Sequence, residues 1–166
     1  MPKPCYNILF VCNGNSARSI IAEAYVNSRK LPHLRAFSAG AIPRGAVDPC
    51  ALEVLRDADI VPENLRSKSW DEFLAPDAPL MDLVINLCDE ATKEDCPIWP
   101  GKPMTARWET TDPAATKDSD RERRATFAAV FAQIKRRADH LLHFDTDQLD
   151  NLSTLSLVNQ ASGADL

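Results

Sequence analysis

The chain has 166 residues, five cysteines and a formal net charge of -5 at pH 7. This length suits a single domain with a sizeable core, and the negative charge argues against a nucleic-acid-binding protein. No apolar run is long enough to span a membrane, and the first residues lack the pattern of a signal peptide. We therefore expect a cytoplasmic protein whose cysteines are reduced and do not form a disulfide framework.

The first predicted element is a buried strand that runs into a polar loop. Residues 7–11 read NILFV, which is typical of a strand in the middle of a parallel sheet. From residue 20 to residue 29 the apolar positions recur at a helical period, so the loop joins a strand to a helix N-terminus. Such a junction turns successive backbone N–H groups and the positive end of the helix dipole towards one point, which suits a tetrahedral oxyanion.

The loop contains residues suited to binding an oxyanion and a cysteine suited to attacking it. Gly14 is expected to supply a positive φ, and Asn15 tolerates the left-handed region. Arg18 can close the loop on an anion with its planar, bidentate guanidinium. Cys12 is the predicted nucleophile, because the helix dipole and the guanidinium favour its thiolate and Ser19 is near enough to donate a hydrogen bond to the sulfur. The predicted oxyanion-binding residues are the consecutive Asn13, Gly14, Asn15, Ser16, Ala17 and Arg18.

The motif C-N-G-N-S-A-R-S, from Cys12 to Ser19, resembles the loop of the low-molecular-weight protein tyrosine phosphatases and of the thioredoxin-coupled arsenate reductases that share their fold. The resemblance extends to about Phe144. It implies an α/β fold with three α/β/α layers, a four-stranded parallel sheet and the Cys-x5-Arg loop after the first strand. We expect one such domain over residues 1–144 and a tail over residues 145–166 that is docked or partly disordered.

The remaining elements alternate between strands and helices. The patterns predict strands over residues 35–40, 82–87 and 102–107, and helices over residues 48–58, 70–74 and 119–144. Asp48 is the expected N-cap of its helix, with Pro49 in the first turn. Cys50 is interpreted as a packing residue. Arg66 and Lys68 lie in a polar connection and are interpreted as a solvated face.

Two further cysteines follow the third predicted strand. Because parallel strands end at the same edge of a sheet, neighbouring strands about 4.8 Å apart would bring Cys12 and Cys88 close to disulfide range. Cys96 follows in a charged segment without an apolar face, which we expect to move. The resemblance implies that Cys88 and Cys96 are the resolving cysteines of the reductases. The alternative is an inert strand end and a chance loop cysteine.

Asp112 precedes a proline just after the fourth predicted strand. Both resembled groups of enzymes carry an Asp-Pro pair on a loop over the oxyanion site, where the aspartate is the general acid. The resemblance implies that role for Asp112, whereas the pair by itself predicts only a turn or a helix cap.

The resemblance implies one of two enzymes. An arsenate reductase would use a Cys12, Cys88 and Cys96 thiol-disulfide relay, with no tightly bound cofactor and an external reductant, either thioredoxin or glutaredoxin with glutathione. A phosphatase would hydrolyse aryl phosphoesters through a phosphocysteine on Cys12. We favour the reductase for two reasons. Ala17 replaces a loop cysteine that is common in the phosphatases. The tyrosine pair that the phosphatases often carry after Asp-Pro is also missing, since both tyrosines of this chain precede Asp112. A non-catalytic oxyanion-binding protein is the third hypothesis.

The expected partners are arsenate or a phosphate-like oxyanion and a thioredoxin-type reductase protein, without nucleic acid or membrane. The leucines of the tail could dock on their own domain or mediate dimerisation, so both a monomer and a weak dimer are compatible with the sequence. Some of the resembled reductases hold a potassium ion near residues that match Asn15, Glu23 and Ser38. The sequence supplies no complete ligand set for that ion, and we predict no metal.

Overall fold

The computed structural model describes residues 5–61, 63–87, 97–113 and 119–143. The strands are β1 (Tyr6–Cys12), β2 (Leu34–Gly40), β3 (Leu83–Asn86) and β4 (Met104–Arg107). The helices are α1 (Arg18–Ser28), α2 (Pro49–Asp57) and α3 (Asp120–Leu141), with a short 3-10 helix at Trp70–Phe73. Each of these elements was predicted, and α1 begins two residues earlier than expected. The predicted tail lies outside the described residues, so the domain boundary at residue 144 stays a prediction.

The four strands form one parallel sheet in the order β2-β1-β3-β4. The apolar β1 strand is therefore central, with Cys12 opposite Gly40 of β2 and Val11 opposite Asn86 of β3. Every carboxyl end of the sheet lies on one edge, where open α/β sheets carry their sites. This arrangement confirms the predicted fold class.

The core has two parts because successive residues of a strand point to opposite faces of the sheet. Ile8 and Phe10 of β1 belong to the larger cluster, which α1, α2 and α3 cover. Leu9 and Val11 belong to the smaller cluster, together with Phe73 of the 3-10 helix. The sheet is thus buried on both faces, as the continuous apolar sequence of β1 predicts.

Side-chain caps begin the second and third helices. Asp48 accepts a hydrogen bond from the backbone N–H of Cys50 at 2.9 Å, which confirms the predicted cap of α2. Ser119 caps α3 by accepting from Glu122 N–H at 3.3 Å. Arg123 of α3 also pairs with Asp48, so the cap of one helix joins it to the other. In the part of the chain that the structure describes, no helix has the length and apolar character to cross a membrane.

Candidate active site

The predicted nucleophile is the last residue of β1. Cys12 is only 3% exposed, and its sulfur lies 2.9 Å from the hydroxyl oxygen of Ser19 at the start of α1. The structure therefore places Ser19 where the sequence predicted a hydrogen-bonding partner for the sulfur.

A chain of hydrogen bonds sets the direction of that contact. The backbone N–H of Lys68 can only donate, and it donates to Oδ1 of Asn15 at 2.8 Å, which fixes the orientation of the Asn15 amide. Nδ2 of Asn15 then donates to the Ser19 hydroxyl at 2.7 Å. Because this hydroxyl accepts from Asn15, its own proton is available to the Cys12 sulfur. A thiolate at that position gains a directed donor.

The loop carbonyls point away from the oxyanion position. Backbone N–H groups in residues 41–48, the segment that follows β2, donate to loop carbonyls at 2.9 to 3.3 Å. The accepting carbonyls belong to Cys12, Asn13, Gly14 and Ser16. Since each peptide plane sets its carbonyl opposite its N–H, the amides of the loop turn towards the centre. This is the arrangement that anion binding requires.

The positive φ of the loop is at Asn15, not at Gly14. Asn15 has a φ of 43°, whereas the prediction assigned this role first to Gly14. The absent side chain of Gly14 serves another residue, because a Cβ there would lie 3.0 Å from Nε of Arg44. Gly40 at the end of β2 is also sterically required, since its Cβ would lie 2.7 Å from the Asn13 carbonyl oxygen.

Arg18 is buried beneath the site and joins three segments. Its Nη1 donates to the carbonyl of Thr110 at 3.0 Å and to that of Leu87 at 3.4 Å, and its Nη2 lies 3.7 Å from Oδ2 of Asp112. One edge of the guanidinium is thus anchored to protein carbonyls, and the other edge faces the carboxylate of Asp112. The side chain does not extend into bulk solvent.

Asp112 lies at the mouth of the site, between two guanidinium groups. Besides Arg18, its Oδ2 lies 3.4 Å from Nη2 of Arg44. Arg44 is 49% exposed, so its ion pair is more strongly screened by water than the buried contact with Arg18. The structure brings Asp112 to the loop of Cys12; its role as a general acid stays a prediction.

Three residues of the site were not predicted from the sequence: Arg44, Thr110 and Arg137. Arg137 is a buried arginine on α3, and its Nη1 donates at 3.0 Å both to the Glu109 carbonyl and to the Thr110 hydroxyl. The Thr110 hydroxyl in turn donates to the Trp108 carbonyl at 2.8 Å. The sequence feature that could have identified Arg137 is its position in the helix, because it falls on the apolar face of an otherwise regular amphipathic helix.

The interpretation of Lys68 as a solvated residue is wrong. Lys68 is 8% exposed, and its ammonium lies 3.0 Å from the Arg66 carbonyl, 3.4 Å from the Ser38 hydroxyl and 3.6 Å from a carboxylate oxygen of Glu23. Burial lowers the pKa of Lys68, and the charge of Glu23 opposes that effect. Arg66 does lie on the surface, where it pairs with Glu72 at 2.6 Å.

These contacts do not fit the potassium ion that some of the resembled reductases carry. The Lys68 ammonium already contacts Glu23 and Ser38, and the Asn15 amide oxygen accepts from the Lys68 backbone. A potassium ion among the same oxygens would lie against a second positive charge.

The predicted resolving cysteines, Cys88 and Cys96, lie outside the described residues. The structure does describe the residue before Cys88, since the N–H of Leu87 donates to the Val11 carbonyl at 2.8 Å. Among the described cysteines, Cys5, Cys12 and Cys50 carry free thiols. Cys50 packs against the core as predicted, and burial raises the pKa of its thiol.

Comparisons with known proteins give the same picture. Residues 7–152 match the sequence model of the family described as low molecular weight phosphotyrosine protein phosphatase. An arsenate reductase of Bacillus licheniformis is 32% identical over 130 residues, which cover 78% of this chain and 90% of that protein. The structure of an arsenate reductase from Archaeoglobus fulgidus has a TM-score of 0.65 at 28% identity and covers 82% of this chain and 99% of its own. An arsenate reductase in a phosphate-binding state has a TM-score of 0.68 at 25% identity, covering 83% and 97%.

The parallel sheet, with a cysteine and an arginine around an amide-lined loop, defines a class of enzymes that act on oxyanions through a cysteine. Within that class, the chain belongs to the low molecular weight phosphotyrosine protein phosphatase family.

Proposed function

We propose that the protein is an arsenate reductase that works through a relay of Cys12, Cys88 and Cys96. The observation that carries this proposal is the pairing of β1 with β3 in parallel, since both strands end at the same edge of the sheet and Leu87, the residue before Cys88, donates to the carbonyl of Val11, the residue before Cys12. Curated relatives named arsenate reductase support it, one of them at 32% identity over 90% of its length.

Arsenate would bind on the inward-facing amides of residues 13–17. Its negative charge would compete with Asp112 for the guanidinium groups of Arg18 and Arg44, which both pair with that carboxylate. Binding would therefore release Asp112 from its ion pairs and leave it beside the departing oxygen. A solved relative in a phosphate-binding state supports a tetrahedral oxyanion as the ligand.

The first chemical step forms a bond between Cys12 and arsenic. The Cys12 thiolate attacks arsenate, an arsenic–oxygen bond breaks, and the oxygen leaves as water with a proton from Asp112. The oxidation state of arsenic does not change in this step.

The second step is the reduction. The Cys88 thiolate attacks the Cys12 sulfur, the sulfur–arsenic bond breaks, and its electron pair stays on arsenic, which leaves as arsenite. The two thiols lose two electrons in total and become the Cys12–Cys88 disulfide. Cys96 then attacks Cys88, which frees Cys12 and forms Cys88–Cys96. An external dithiol of the thioredoxin type, or glutaredoxin with glutathione, reduces that disulfide.

The experiment is a single turnover with reduced protein and no external reductant, followed by alkylation and mass spectrometry. The wild type should form one arsenite per protein and lose two free thiols. Cys96→Ser should stop with Cys12 joined to Cys88, and Cys12→Ser should form no arsenite. Cys50→Ser is the matched control and should behave as the wild type.

The relay is wrong if Cys88→Ser and Cys96→Ser both reduce arsenate repeatedly with thioredoxin at the wild-type rate. Supplying thioredoxin and glutaredoxin with glutathione in separate assays identifies the reductant. Such a relay needs a reducing compartment, which supports a cytoplasmic location.

The second candidate function is hydrolysis of aryl phosphoesters. Its support is the family itself, together with the placement of Asp112 beside the loop of Cys12. In this reaction Cys12 takes the phosphoryl group, Asp112 protonates the phenol, and Cys88 and Cys96 take no part. Turnover of an aryl phosphate by Cys88→Ser at the wild-type rate, without arsenate reduction by the wild type, would favour the phosphatase.

A further inference from the structure

A buried cation lies behind the oxyanion loop, in a place the proposed mechanism does not use. The Lys68 ammonium has three oxygen neighbours from three segments of the chain: Glu23 on α1, Ser38 on β2 and the Arg66 carbonyl. Ser38 donates its hydroxyl proton to Glu23, so the Ser38 oxygen can accept from Lys68. The four groups form one connected polar cluster.

The cluster needs its positive charge. Glu23 is largely buried, and a buried carboxylate is costly unless it is paired and hydrogen-bonded. The Ser38 hydroxyl donates one hydrogen bond to Glu23, but without the ammonium the carboxylate would lose the cation that contacts it, and the Arg66 carbonyl would lose its donor in the cluster. Among the described residues, Lys68 supplies the ammonium that contacts these oxygen atoms directly.

The backbone of the same residue reaches the nucleophile. The Lys68 N–H fixes the amide of Asn15, and Asn15 donates to Ser19, which lies 2.9 Å from the Cys12 sulfur. A shift in the backbone of Lys68 would release the Asn15 amide and allow the Ser19 hydroxyl to turn away from the sulfur. The position of the ammonium and the orientation of the Ser19 proton are therefore coupled through one residue.

We infer that Lys68 is a positioning residue, whose tethered ammonium acts as the resident cation of the site in place of a metal ion and keeps Ser19 directed at Cys12. This inference rests on the proposed function only in taking Cys12 as the nucleophile, and it is the same for arsenate and for phosphoesters. Its first consequence is that exchanging sodium for potassium at constant ionic strength leaves the wild-type activity unchanged.

The second consequence is chemical rescue. A surface cavity of about 550 Å³ is lined in part by Glu23, and we expect a small cation to reach the Glu23 carboxylate from this cavity once the Lys68 side chain is shortened. Lys68→Ala should therefore respond to added ammonium or potassium, and Lys68→Met, which keeps most of the volume without the charge, should respond much less. Tetramethylammonium is too large for the vacated space and serves as the control salt.

The experiment compares Lys68→Ala, Lys68→Met and the matched control Lys135→Met, whose lysine lies on the surface of α3. The readouts are the rate of Cys12 alkylation by iodoacetamide at neutral pH and steady-state activity. We expect both Lys68 variants to lose roughly 10-fold to 100-fold in kcat, by analogy with the loss found when a residue that orients a metal ligand from outside the coordination sphere is removed. Cys12 alkylation should slow in parallel, and ammonium or potassium should restore both rates in Lys68→Ala.

The inference is overturned if Lys68→Ala alkylates and turns over as the wild type does. It is also overturned if Lys68→Ala loses activity that no cation restores while Cys12 alkylation stays normal, because the lysine would then be only structural. A wild type that does not reduce arsenate, but in which Cys12 alkylation depends on Lys68 as described, would contradict the proposed function and leave this inference standing.

Discussion

At the scale of single residues, the oxyanion site contains two guanidinium groups in different environments. Arg18 is buried and tied to the carbonyls of Leu87 and Thr110, so it is preorganised for the anion. Arg44 is half-exposed and reaches Asp112 across the bare backbone of Gly14. We therefore expect the buried arginine to act in the reaction itself and the exposed one to help capture the substrate.

Arg44→Ala should weaken substrate binding more than it slows the chemistry. Loss of one partly screened charge contact corresponds to about 1 kcal/mol, so we expect KM for arsenate to rise about fivefold with kcat changed less than about twofold. Steady-state kinetics at constant ionic strength measure both values.

Gly14→Ala provides the matching variant, because its new Cβ would push Arg44 away from Asp112. It should raise KM in the wild type and add little in the Arg44→Ala background, since both changes remove the same contact. Fully additive effects of the two substitutions would show that Gly14 and Arg44 act independently.

At the scale of elements, α3 supports the segment that carries Asp112. Arg137 extends from the core face of α3 and donates to both Glu109 and Thr110, whereas Arg18 of α1 donates to the Thr110 carbonyl from the other side. The segment after β4 is thus held between two helices by buried arginines. Its position depends on the docking of α3, not on its own sequence.

Arg137→Met should lower kcat without changing the reactivity of Cys12. The substitution keeps an apolar side chain in the core but removes two hydrogen bonds, which we expect to cost about 1–3 kcal/mol of unfolding free energy. Because the Asp112 segment loosens while Ser19 and Asn15 keep their contacts, Cys12 alkylation should proceed at the wild-type rate. Arg136→Met, at the neighbouring exposed position, is the control. An equal loss of alkylation rate in Arg137→Met would contradict this division of roles.

At the scale of the whole molecule, the covering helices are joined by polar contacts as well as by the core. Tyr25 of α1 donates its hydroxyl to Asp139 of α3, and its ring packs edge-on against Phe131 at a centroid distance of 6.0 Å. Burial raises the pKa of Tyr25 to about 12, and the hydrogen bond and the charge of Asp139 act in the same direction. The neutral phenol is therefore the form that the folded state favours.

The stability of the protein should fall as the pH rises above 10. In the unfolded chain Tyr25 ionises at its ordinary pKa of 10.0, whereas in the folded protein it keeps its proton to about 12. The unfolded state then binds fewer protons in this window, so the stabilisation present below pH 10 is progressively lost. Urea unfolding of the wild type and of Tyr25→Phe as a function of pH tests this. The variant should lose less stability above pH 10, and parallel curves would contradict the assignment.

The sequence by itself determined the parts of this protein that depend on neighbours in the chain. The apolar β1 run, the strand-to-helix loop with Cys12 and Arg18, and the Asp48 cap were all predicted, because strand burial, helix period and capping are encoded within a few residues. The approach of Ser19 to the Cys12 sulfur also follows from spacing along the loop.

Only the tertiary structure decided which distant side chains complete the site. Lys68 was interpreted as a solvated residue, and Arg44 and Arg137 were not predicted as residues of the site, yet the fold brings Arg44 to Asp112 and buries the other two among oxygen atoms of other segments. Only the tertiary structure also shows that the missing side chain of Gly14 makes room for Arg44. A charge becomes part of a site when the surrounding chain removes water from it and supplies its partners, and that depends on contacts between segments far apart in the sequence.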